Sequence, residues 1–361
     1  MRKIYVNAFT SENFGDDLFV RTLCERYPED RFYLQCEKNE DRAFLNIPNL
    51  TVYNRSTTLG KWRARLRKWI TKLGLFPALA YDAQVYIGGS IFIEFKNPVS
   101  YESYFQKLYA SKLFSKLPYF ILGANFGPHD TEQFVTKHKE YFISQVDDLC
   151  MRDQKSYALF RELSNVRYAP DILCTYQMPK KKKDNLILIS CIFNDGREEI
   201  SQFSNDDYEK KLTELCRYYL SLGKEVCLLS LCNFQKDHLM CQRVQQHFDK
   251  QVSVVDYGGD LDKVIDLFAR AEYVIASRFH AMILGWLAKT PVFPIYYSNK
   301  TINVIHDYGF EGDYASILEF PELTCEQIDN NRRNQHLFDI EPLQTEAQKQ
   351  FLKLDDFMKK L

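Results

Sequence analysis

The sequence lacks any long apolar run and any strong excess of charge of one sign. No segment approaches the roughly 20 consecutive apolar residues that a membrane-spanning helix needs. The start, MRKIYVNAFTSENFGDD, also lacks the apolar core of a secretory signal, so we expect a cytoplasmic protein. The formal net charge of -1 argues against a dedicated nucleic-acid-binding protein.

The ten cysteines show no pairing pattern. They are scattered, mostly within apolar strands, and form no CxxC pair, which is typical of reduced cysteines in a core. One group does carry residue types that bind metals, namely Cys232, His238, Cys241 and His247. Its spacing, C-x5-H-x2-C-x5-H, matches no standard zinc site. We interpret these four as ordinary residues of a polar helix and predict no metal site.

What the sequence does contain is a repeated alternation of strand and helix patterns. Its 361 residues exceed the roughly 250–300 at which single cores tend to divide, which favours two domains. The segment QMPKKKKDN, residues 177–185, has no apolar face and is predicted to be a solvated linker. We predict an α/β fold with two Rossmann-like domains of parallel strands, at 1–178 and 184–340, and a closing C-terminal helix at 343–361. Ligands of such a pair bind at the carboxyl ends of the strands, in the cleft between the domains.

The strand predictions rest on short β-rich runs. They are 3–9, 31–36, 50–54, 83–89, 118–124, 148–153 and 166–170 before the linker, and 186–193, 225–231, 252–257, 273–277 and 292–297 after it. Helices are predicted between them, for example at 206–221 and 260–270. Unusual polar residues follow several of these strands.

The first two junctions combine glycine with polar side chains. Asn13-Phe14-Gly15-Asp16-Asp17 follows the first strand and opens a helix, so its backbone N–H groups can face an anion or a hydroxyl. Asp16 or Asp17 alternatively only caps that helix. Gly88-Gly89-Ser90 follows a later strand and either admits a ligand against the backbone or makes a tight turn.

Two further junctions of the first half carry Asn, His and Arg. In LGANFGPHD, the side chains of Asn125 and His129 are candidates to face the cleft, although a lone loop histidine is more often simply solvated. Arg152 and Asp153 end another strand, where Arg152 suits anion capture and Asp153 suits capping of the next helix. Local pairing of Arg152 with Asp153 is the alternative.

The most informative junction belongs to the second half. In VIASRFHAMILGWL, Arg278 and His280 stand between a buried strand and a helix, where core packing does not call for them. The positive end of the helix dipole would favour an anion at the same place. The alternative is that Arg278 pairs structurally with an acid such as Asp256 or Asp171.

These junctions form an ordered series that spans residues 13–300. Its members are Asn13-x-Gly15-Asp16, Gly88-Gly89-Ser90, Gly123 with Gly127-Pro128, Arg152-Asp153-x-x-Ser156, Pro170-Asp171, Ser277-Arg278-Phe279-His280, Gly285, Pro291 and Lys300. The series resembles that of the polysaccharide pyruvyl transferases. Ser90 stands where that family often has a third glycine, and Ala-Asn-Phe precedes Gly127-Pro128; both departures concern the acceptor side.

The resemblance implies a GT-B-like enzyme that moves the enolpyruvyl unit of phosphoenolpyruvate onto a sugar, forming a cyclic pyruvate ketal. The acceptor would be a precursor of a bacterial surface or capsular polysaccharide. Domain 1–178 would serve the acceptor and domain 184–340 the phosphoenolpyruvate. Phosphoenolpyruvate is then a co-substrate, and no cofactor is expected.

The resemblance also implies roles for individual residues. It assigns anion binding to Arg278, His280 and Arg152, since guanidinium forks match phosphate and carboxylate groups. His280 is the candidate proton donor because histidine titrates near neutrality. Asp16, Asp17 and Asp171 remain open as the base toward the sugar. The expected substrate-binding set is completed by Asn13, Gly15, Asp17, Gly89, Ser90, Asn125 and Lys300.

Two alternatives and one location complete the predictions. If the chain is not a pyruvyl transferase, the alternatives are a GT-B glycosyltransferase that uses a nucleotide sugar and a sugar- or anion-binding protein without turnover. In KWRARLRKWITKLG, residues 61–74, Trp62, Leu66, Trp69 and Leu73 share one helical face while basic residues occupy the rest. We expect this helix to contact the inner face of the plasma membrane, where a lipid-carrier-linked acceptor would lie, or to pack on its own domain, or to bind an anionic acceptor through its basic face.

Overall fold

A computed structural model describes residues 1–36, 41–54, 81–111, 117–196 and 200–360. Residues 61–74, with the predicted amphipathic helix, lie outside the described residues. The chain divides into two compact units. Unit 1 comprises Met1–Thr10, Asp16–Thr175 and Gln344–Leu361, and unit 2 comprises Ser11–Gly15 and Tyr176–Leu343.

The sheet of unit 1 is parallel throughout. Its strands are β1 (Lys3–Asn7), β2 (Arg31–Cys36), β3 (Leu50–Asn54), β4 (Ala83–Ile87), β5 (Tyr119–Ala124), β6 (Asp148–Met151) and β7 (Val166–Tyr168). Their order is β3-β2-β1-β4-β5-β6-β7. All six residues of β5 are buried, as expected for a central strand covered on both faces.

The sheet of unit 2 is also parallel. Its strands are β8 (Leu186–Ser190), β9 (Glu225–Ser230), β10 (Val252–Asp256), β11 (Tyr273–Ala276), β12 (Val292–Tyr296) and β13 (Ala315–Ser316). Their order is β10-β9-β8-β11-β12-β13. The two sheets confirm the predicted α/β class with two Rossmann-like parallel sheets.

Helices connect the strands, and several of them begin at a side-chain cap. They are α1 (Phe14–Arg26), α2 (Pro98–Ser111), α3 (Glu132–Gln145), α4 (Gln154–Ala158), α5 (Asn205–Ser221), α6 (Asp237–Gln245), α7 (Leu261–Arg270), α8 (Phe279–Leu287), α9 (Asn299–Asp307), α10 (Cys325–Ile328), α11 (Asn330–Arg333), α12 (Glu341–Ala347) and α13 (Leu352–Lys359). Asp153, Ser204 and Asp260 each accept a hydrogen bond from the third backbone N–H of the helix that follows. The capping role predicted for Asp153 is therefore confirmed.

The C-terminal segment returns to unit 1 and stabilises its strand ends. Gln350 is fully buried; its side-chain oxygen accepts from the Gly123 N–H, and its Nε2 donates to the carbonyls of Ala169 and Pro170. Arg26 adds a two-point contact with Asp355. The C-terminal segment itself consists of α12, a 3-10 turn at Gln348–Phe351 and α13.

The polar segment 177–185 is not uniformly solvated, contrary to the prediction. The ammonium group of Lys183 donates to the carbonyls of Ala269 and Ala288 and to the Thr290 hydroxyl. Burial lowers the pKa of Lys183 to about 8. The interpretation fails at this position because helices α7 and α8 end there with carbonyl groups that a lysine can satisfy.

Candidate active site

The imidazole of His280 lies directly against the α carbon of Gly15, and both residues belong to unit 2. A β carbon added to Gly15 would lie 1.5 Å from Nδ1 of His280. His280 is the second residue of α8 and remains partly exposed. A side chain at position 15 would occupy the space that the ring now fills. Glycine is therefore required by the position of the histidine.

The segment Ser11–Gly15 is held on unit 2 by backbone contacts that follow β9. The Phe14 N–H donates to the Leu231 carbonyl at 3.0 Å, and Asn13 forms an antiparallel bridge with Cys232. The ring of Phe14 packs edge-on against Tyr257 at 5.3 Å. These contacts present Gly15 to His280.

Arg278 is bound within unit 2 by a buried carboxylate. Its Nε donates to Oδ2 of Asp237 at 2.8 Å, while Nη2 donates to Oδ1 of the same carboxylate and Nη1 to Gln235. The Tyr297 hydroxyl accepts a longer bond from Nη1, at 3.4 Å. Asp237 is fully buried. These four bonds use four of the five guanidinium N–H groups.

The charge state of Arg278 follows from this pair. Burial acts to lower the pKa of the guanidinium, but the Asp237 carboxylate, together with Tyr297 and Cys232, outweighs burial and the pKa is raised. The structural pairing considered from the sequence thus exists, with a different partner. Asp256 instead accepts from the Ser230 hydroxyl, and Asp171 pairs with Arg152.

Two buried serines hold the turn that carries Arg278 and His280. The hydroxyl oxygen of Ser190, at the end of β8, accepts from the backbone N–H groups of Ser277 and Arg278 at 3.0 and 3.2 Å. The Ser277 hydroxyl shares a 2.7 Å hydrogen bond with the hydroxyl of Tyr208 on α5. All three hydroxyl-bearing residues are buried. The turn between β11 and α8 is therefore held by side chains as well as by the sheet.

A second polar cluster lies at the carboxyl ends of β5, β6 and β7 in unit 1. Arg152 donates from Nη1 to Asp171 at 2.8 Å and from Nη2 to Oδ1 of Asn125 at 2.6 Å. The other carboxylate oxygen of Asp171 accepts from the Leu173 N–H. Burial raises the pKa of Asp171, although the Arg152 guanidinium opposes the rise. The alternative considered from the sequence, local pairing of Arg152 with Asp153, is wrong, because Arg152 pairs with Asp171 and Asp153 caps α4.

Glycine again permits close approach in this second cluster. A β carbon on Gly89 would lie 2.5 Å from Nη2 of Arg152, so the guanidinium rests on the bare backbone. Ser90 donates a long bond of 3.4 Å to Asn125. A β carbon on Gly88 would make ordinary contacts, 3.5 Å from Ile91 and 3.9 Å from Oδ1 of Asp16. Of the two glycines, only Gly89 lies so close to a neighbouring side chain, that of Arg152, that a β carbon would not fit.

The remaining predicted residues differ in exposure. Asp16 and Lys300 are partly exposed, the latter as the second residue of α9, whereas Asp17 is buried. His129 is partly exposed and stacks edge-on against Phe126. Asn13 accepts from the Gly15 N–H, which shapes the turn into α1. The structure thus joins Gly15, Arg278 and His280 within unit 2 and joins Gly89, Asn125, Arg152 and Asp171 within unit 1.

Sequence reasoning missed the residues that support Arg278. Asp237 opens α6, a position where an acidic residue is normally interpreted as favouring the helix dipole. Gln235 and Tyr297 gave no signal because amide and phenol side chains are common in loops. The one available sign was that a buried arginine requires a buried acid in the same unit.

The described residues show neither a metal cluster nor a membrane-spanning helix. No group of three or more His, Cys, Asp or Glu side chains in the described ranges is arranged to hold a metal ion. No helix in this part of the chain is long and apolar enough to cross a bilayer.

Comparison with solved structures identifies the class of fold. Anabaena HepE, crystallised with UDP and glucose, superposes with a TM-score of 0.55 at 10% identity and full coverage of both chains. The UDP-GlcNAc 2-epimerase of Neisseria meningitidis, bound to UDP-GlcNAc, gives a TM-score of 0.58 at 8% identity, again with full coverage of both. At these identities the likeness concerns the fold alone, and the fold is of the GT-B type.

Sequence comparison identifies the family. The polysaccharide pyruvyl transferase model matches residues 13–299, which is most of the chain, so this protein belongs to that family. Amylovoran biosynthesis protein AmsJ of Erwinia amylovora is 24% identical over 269 residues. That alignment covers 66% of this chain and 63% of AmsJ, so it spans less than two thirds of the length of that relative.

Proposed function

We propose that the protein transfers the enolpyruvyl unit of phosphoenolpyruvate to a sugar of a polysaccharide precursor and closes it to a cyclic pyruvate ketal. The observation that carries the proposal is the contact between His280 and Gly15. It brings together two separate segments of the family series, and both residues lie within the range 13–299 that the family model matches. A partly exposed imidazole on a helix N-terminal turn is suited to exchange a proton with a bound substrate.

The reaction balances without a cofactor. A proton added to the methylene carbon of phosphoenolpyruvate makes the neighbouring carbon electrophilic, and one sugar hydroxyl attacks it and loses its proton. The carbon–oxygen bond to phosphate then breaks, and the second hydroxyl attacks the same carbon and loses its proton. One hydroxyl proton offsets the proton used on carbon, and the other leaves with inorganic phosphate.

His280 is assigned the proton donated to carbon, and Asp16 is preferred as the base toward a sugar hydroxyl. Of the three acids considered, Asp17 and Asp171 are buried, and both oxygens of Asp171 accept bonds from Arg152 and Leu173. Asp16 is partly exposed. Lys300, which is partly exposed, is the direct anion ligand of this proposal, whereas Arg278 and Arg152 act from within their ion pairs.

Phosphate release tests the proposal. The purified protein is incubated with phosphoenolpyruvate and a panel of sugar and lipid-linked acceptors, and inorganic phosphate is measured together with product mass. We expect acceptor-dependent phosphate release and a product heavier than the acceptor by pyruvate minus water. A glycosyltransferase would consume only nucleotide sugar, and a binding protein would release no phosphate.

We also propose that the enzyme works at the cytoplasmic face of the membrane on a lipid-linked acceptor. The support is the basic amphipathic sequence 61–74. Co-sedimentation with anionic vesicles tests it. Binding that salt weakens, and that Trp62→Ala with Trp69→Ala removes in a folded protein, is the expected result, and equal recovery in the supernatant with and without vesicles would contradict it.

A further inference from the structure

A cavity of about 320 Å³ lies at the carboxyl edge of the unit 2 sheet. Two of its walls are strand ends, since Tyr296 is the last residue of β12 and Ser316 the last of β13. A third wall is the segment Ile200–Phe203, which follows β8. The carboxyl edge is where parallel α/β sheets place their ligands.

The cavity is connected to the Arg278 turn through its walls. Tyr297 lines the cavity and also accepts a hydrogen bond from Arg278. Phe203 also lines the cavity and packs edge-on against Tyr208, whose hydroxyl contacts Ser277. A molecule in the cavity would therefore lie next to the residues that carry His280.

The chemistry of the lining is neutral. Among the described residues that line the cavity, the polar side chains are hydroxyls and amides, including Ser201, Gln202, Ser298 and Asn299, and none is charged. Tyr296 and Tyr297 add aromatic surface. An anion such as phosphoenolpyruvate would be desolvated there without a cationic partner, which is costly. Hydroxyls and amides beside aromatic rings instead match the hydroxyl edges and C–H faces of a neutral sugar.

One hydroxyl in this wall has no hydrogen-bond partner among the described residues. The Ser298 oxygen is buried and makes no hydrogen bond in the described structure. Ser298 stands at the N-cap of α9, where a serine normally bonds to the helix backbone, yet it makes no such bond. A buried polar group of this kind requires an explanation. A ligand hydroxyl would provide its missing partner.

We propose that this cavity is the acceptor-sugar subsite and that it binds one or two neutral pyranose units. The identity of its ligand as acceptor rests on the proposed function. The proposal moves acceptor recognition to unit 2, whereas the family resemblance had assigned it to domain 1–178. Gln202 and Asn299 are exposed residues of the lining, so their truncation should leave the fold intact.

Direct binding tests the subsite without requiring turnover. Saturation-transfer NMR is recorded with the methyl glycosides of galactose, glucose, mannose and N-acetylglucosamine as probes, on wild type, Gln202→Ala and Asn299→Ala. Glu326→Gln, which alters a separate cavity of unit 2, is the matched control. We expect at least one probe to bind, each subsite variant to weaken it tenfold or more, and the control to bind as wild type does.

The outcomes separate this inference from the proposed function. If no probe binds, or if the variants weaken phosphoenolpyruvate or inorganic phosphate instead of sugar, the subsite assignment is wrong. If sugar binding depends on Gln202 and Asn299 but phosphoenolpyruvate releases no phosphate with any acceptor, the subsite assignment is supported and the proposed pyruvyl transfer is wrong. If transfer occurs and both variants keep the wild-type acceptor KM and sugar binding, pyruvyl transfer is supported and the subsite assignment is wrong.

Discussion

The ring of His280 occupies the space that any side chain at position 15 would need, 1.5 Å separating its Nδ1 from the place of a Gly15 β carbon. The two residues are 265 positions apart in the chain, from 15 to 280. Their contact explains why position 15, two residues after Asn13, is a glycine, and the reason is a neighbouring side chain. The Gly15 backbone itself is not in the left-handed region, so the conflict with alanine comes from the His280 ring and not from backbone strain.

Gly15→Ala should therefore displace the imidazole while leaving the helix intact. We expect turnover to fall by roughly a hundredfold or more, the usual contribution of a positioned general acid. The melting temperature should change little, because alanine is favourable in a helix. Gly88→Ala is the matched control, since its added β carbon would meet Ile91 at an ordinary 3.5 Å. Equal activity of the two variants would show that the His280 position is not required.

His280→Asn tests the assigned proton transfer. We expect kcat to fall by roughly a hundredfold or more, with a much smaller change in the KM for phosphoenolpyruvate, because a proton donor acts in the transition state. Steady-state kinetics with both substrates varied give the two values. An increase confined to the KM for phosphoenolpyruvate would instead make His280 a phosphate ligand.

Arg278→Ala should destabilise the protein strongly, contrary to an expectation based on anion binding alone. It removes the bidentate partner of Asp237, which is fully buried. Removing one partner of a buried ion pair costs about 3–5 kcal/mol of unfolding free energy. Urea denaturation measures this loss. Arg21→Ala, which breaks the surface pair with Glu25, should cost less than about 1 kcal/mol. Equal, small losses for the two variants would show that Asp237 does not depend on Arg278.

The strand pattern of the sequence predicted the architecture well but the polar partners poorly. Runs such as RFYLQC predicted β2 at its observed bounds, because alternating apolar residues report burial directly. Other strands were predicted too long, as at Gly88-Gly89, because strand ends depend on where neighbouring strands stop pairing. β13 was missed because it has only two residues, Ala315–Ser316.

The sequence likewise identified some residues of the candidate site and missed others. Gly15, Arg278 and His280 were identified from their unusual place beside apolar strands. Asp237 was not, because its contact with Arg278 joins residues 41 positions apart and leaves no local pattern. Long-range partners of this kind are set by the fold.

Stability should fall with acidity through His138. This residue is buried on α3; its Nδ1–H donates to the Phe134 carbonyl, and its Nε2 accepts from Tyr104. Burial lowers its pKa from 6.5 to about 4. Between these two pKa values the unfolded state binds more protons than the folded state. The contribution of His138 to stability is therefore complete above pH 6.5 and is lost as the pH falls toward 4.

The size of that effect follows from the difference in pKa. It corresponds to about 3 kcal/mol of unfolding free energy at most, to be measured by urea denaturation at several pH values. His138→Gln should remove this part of the pH dependence. A variant whose stability changed with pH as steeply as wild type would assign the dependence to other groups.

The most direct test of the central claim is the fate of the phosphoenolpyruvate methylene group in deuterated water. The protein is incubated in D₂O with phosphoenolpyruvate and an accepted sugar, and the product is examined by mass spectrometry and NMR. Pyruvyl transfer predicts a ketal on two sugar oxygens whose methyl group carries one solvent deuterium, with phosphate released in equal amount. A product with no ketal, or transfer that occurs only with a nucleotide sugar, would contradict the account.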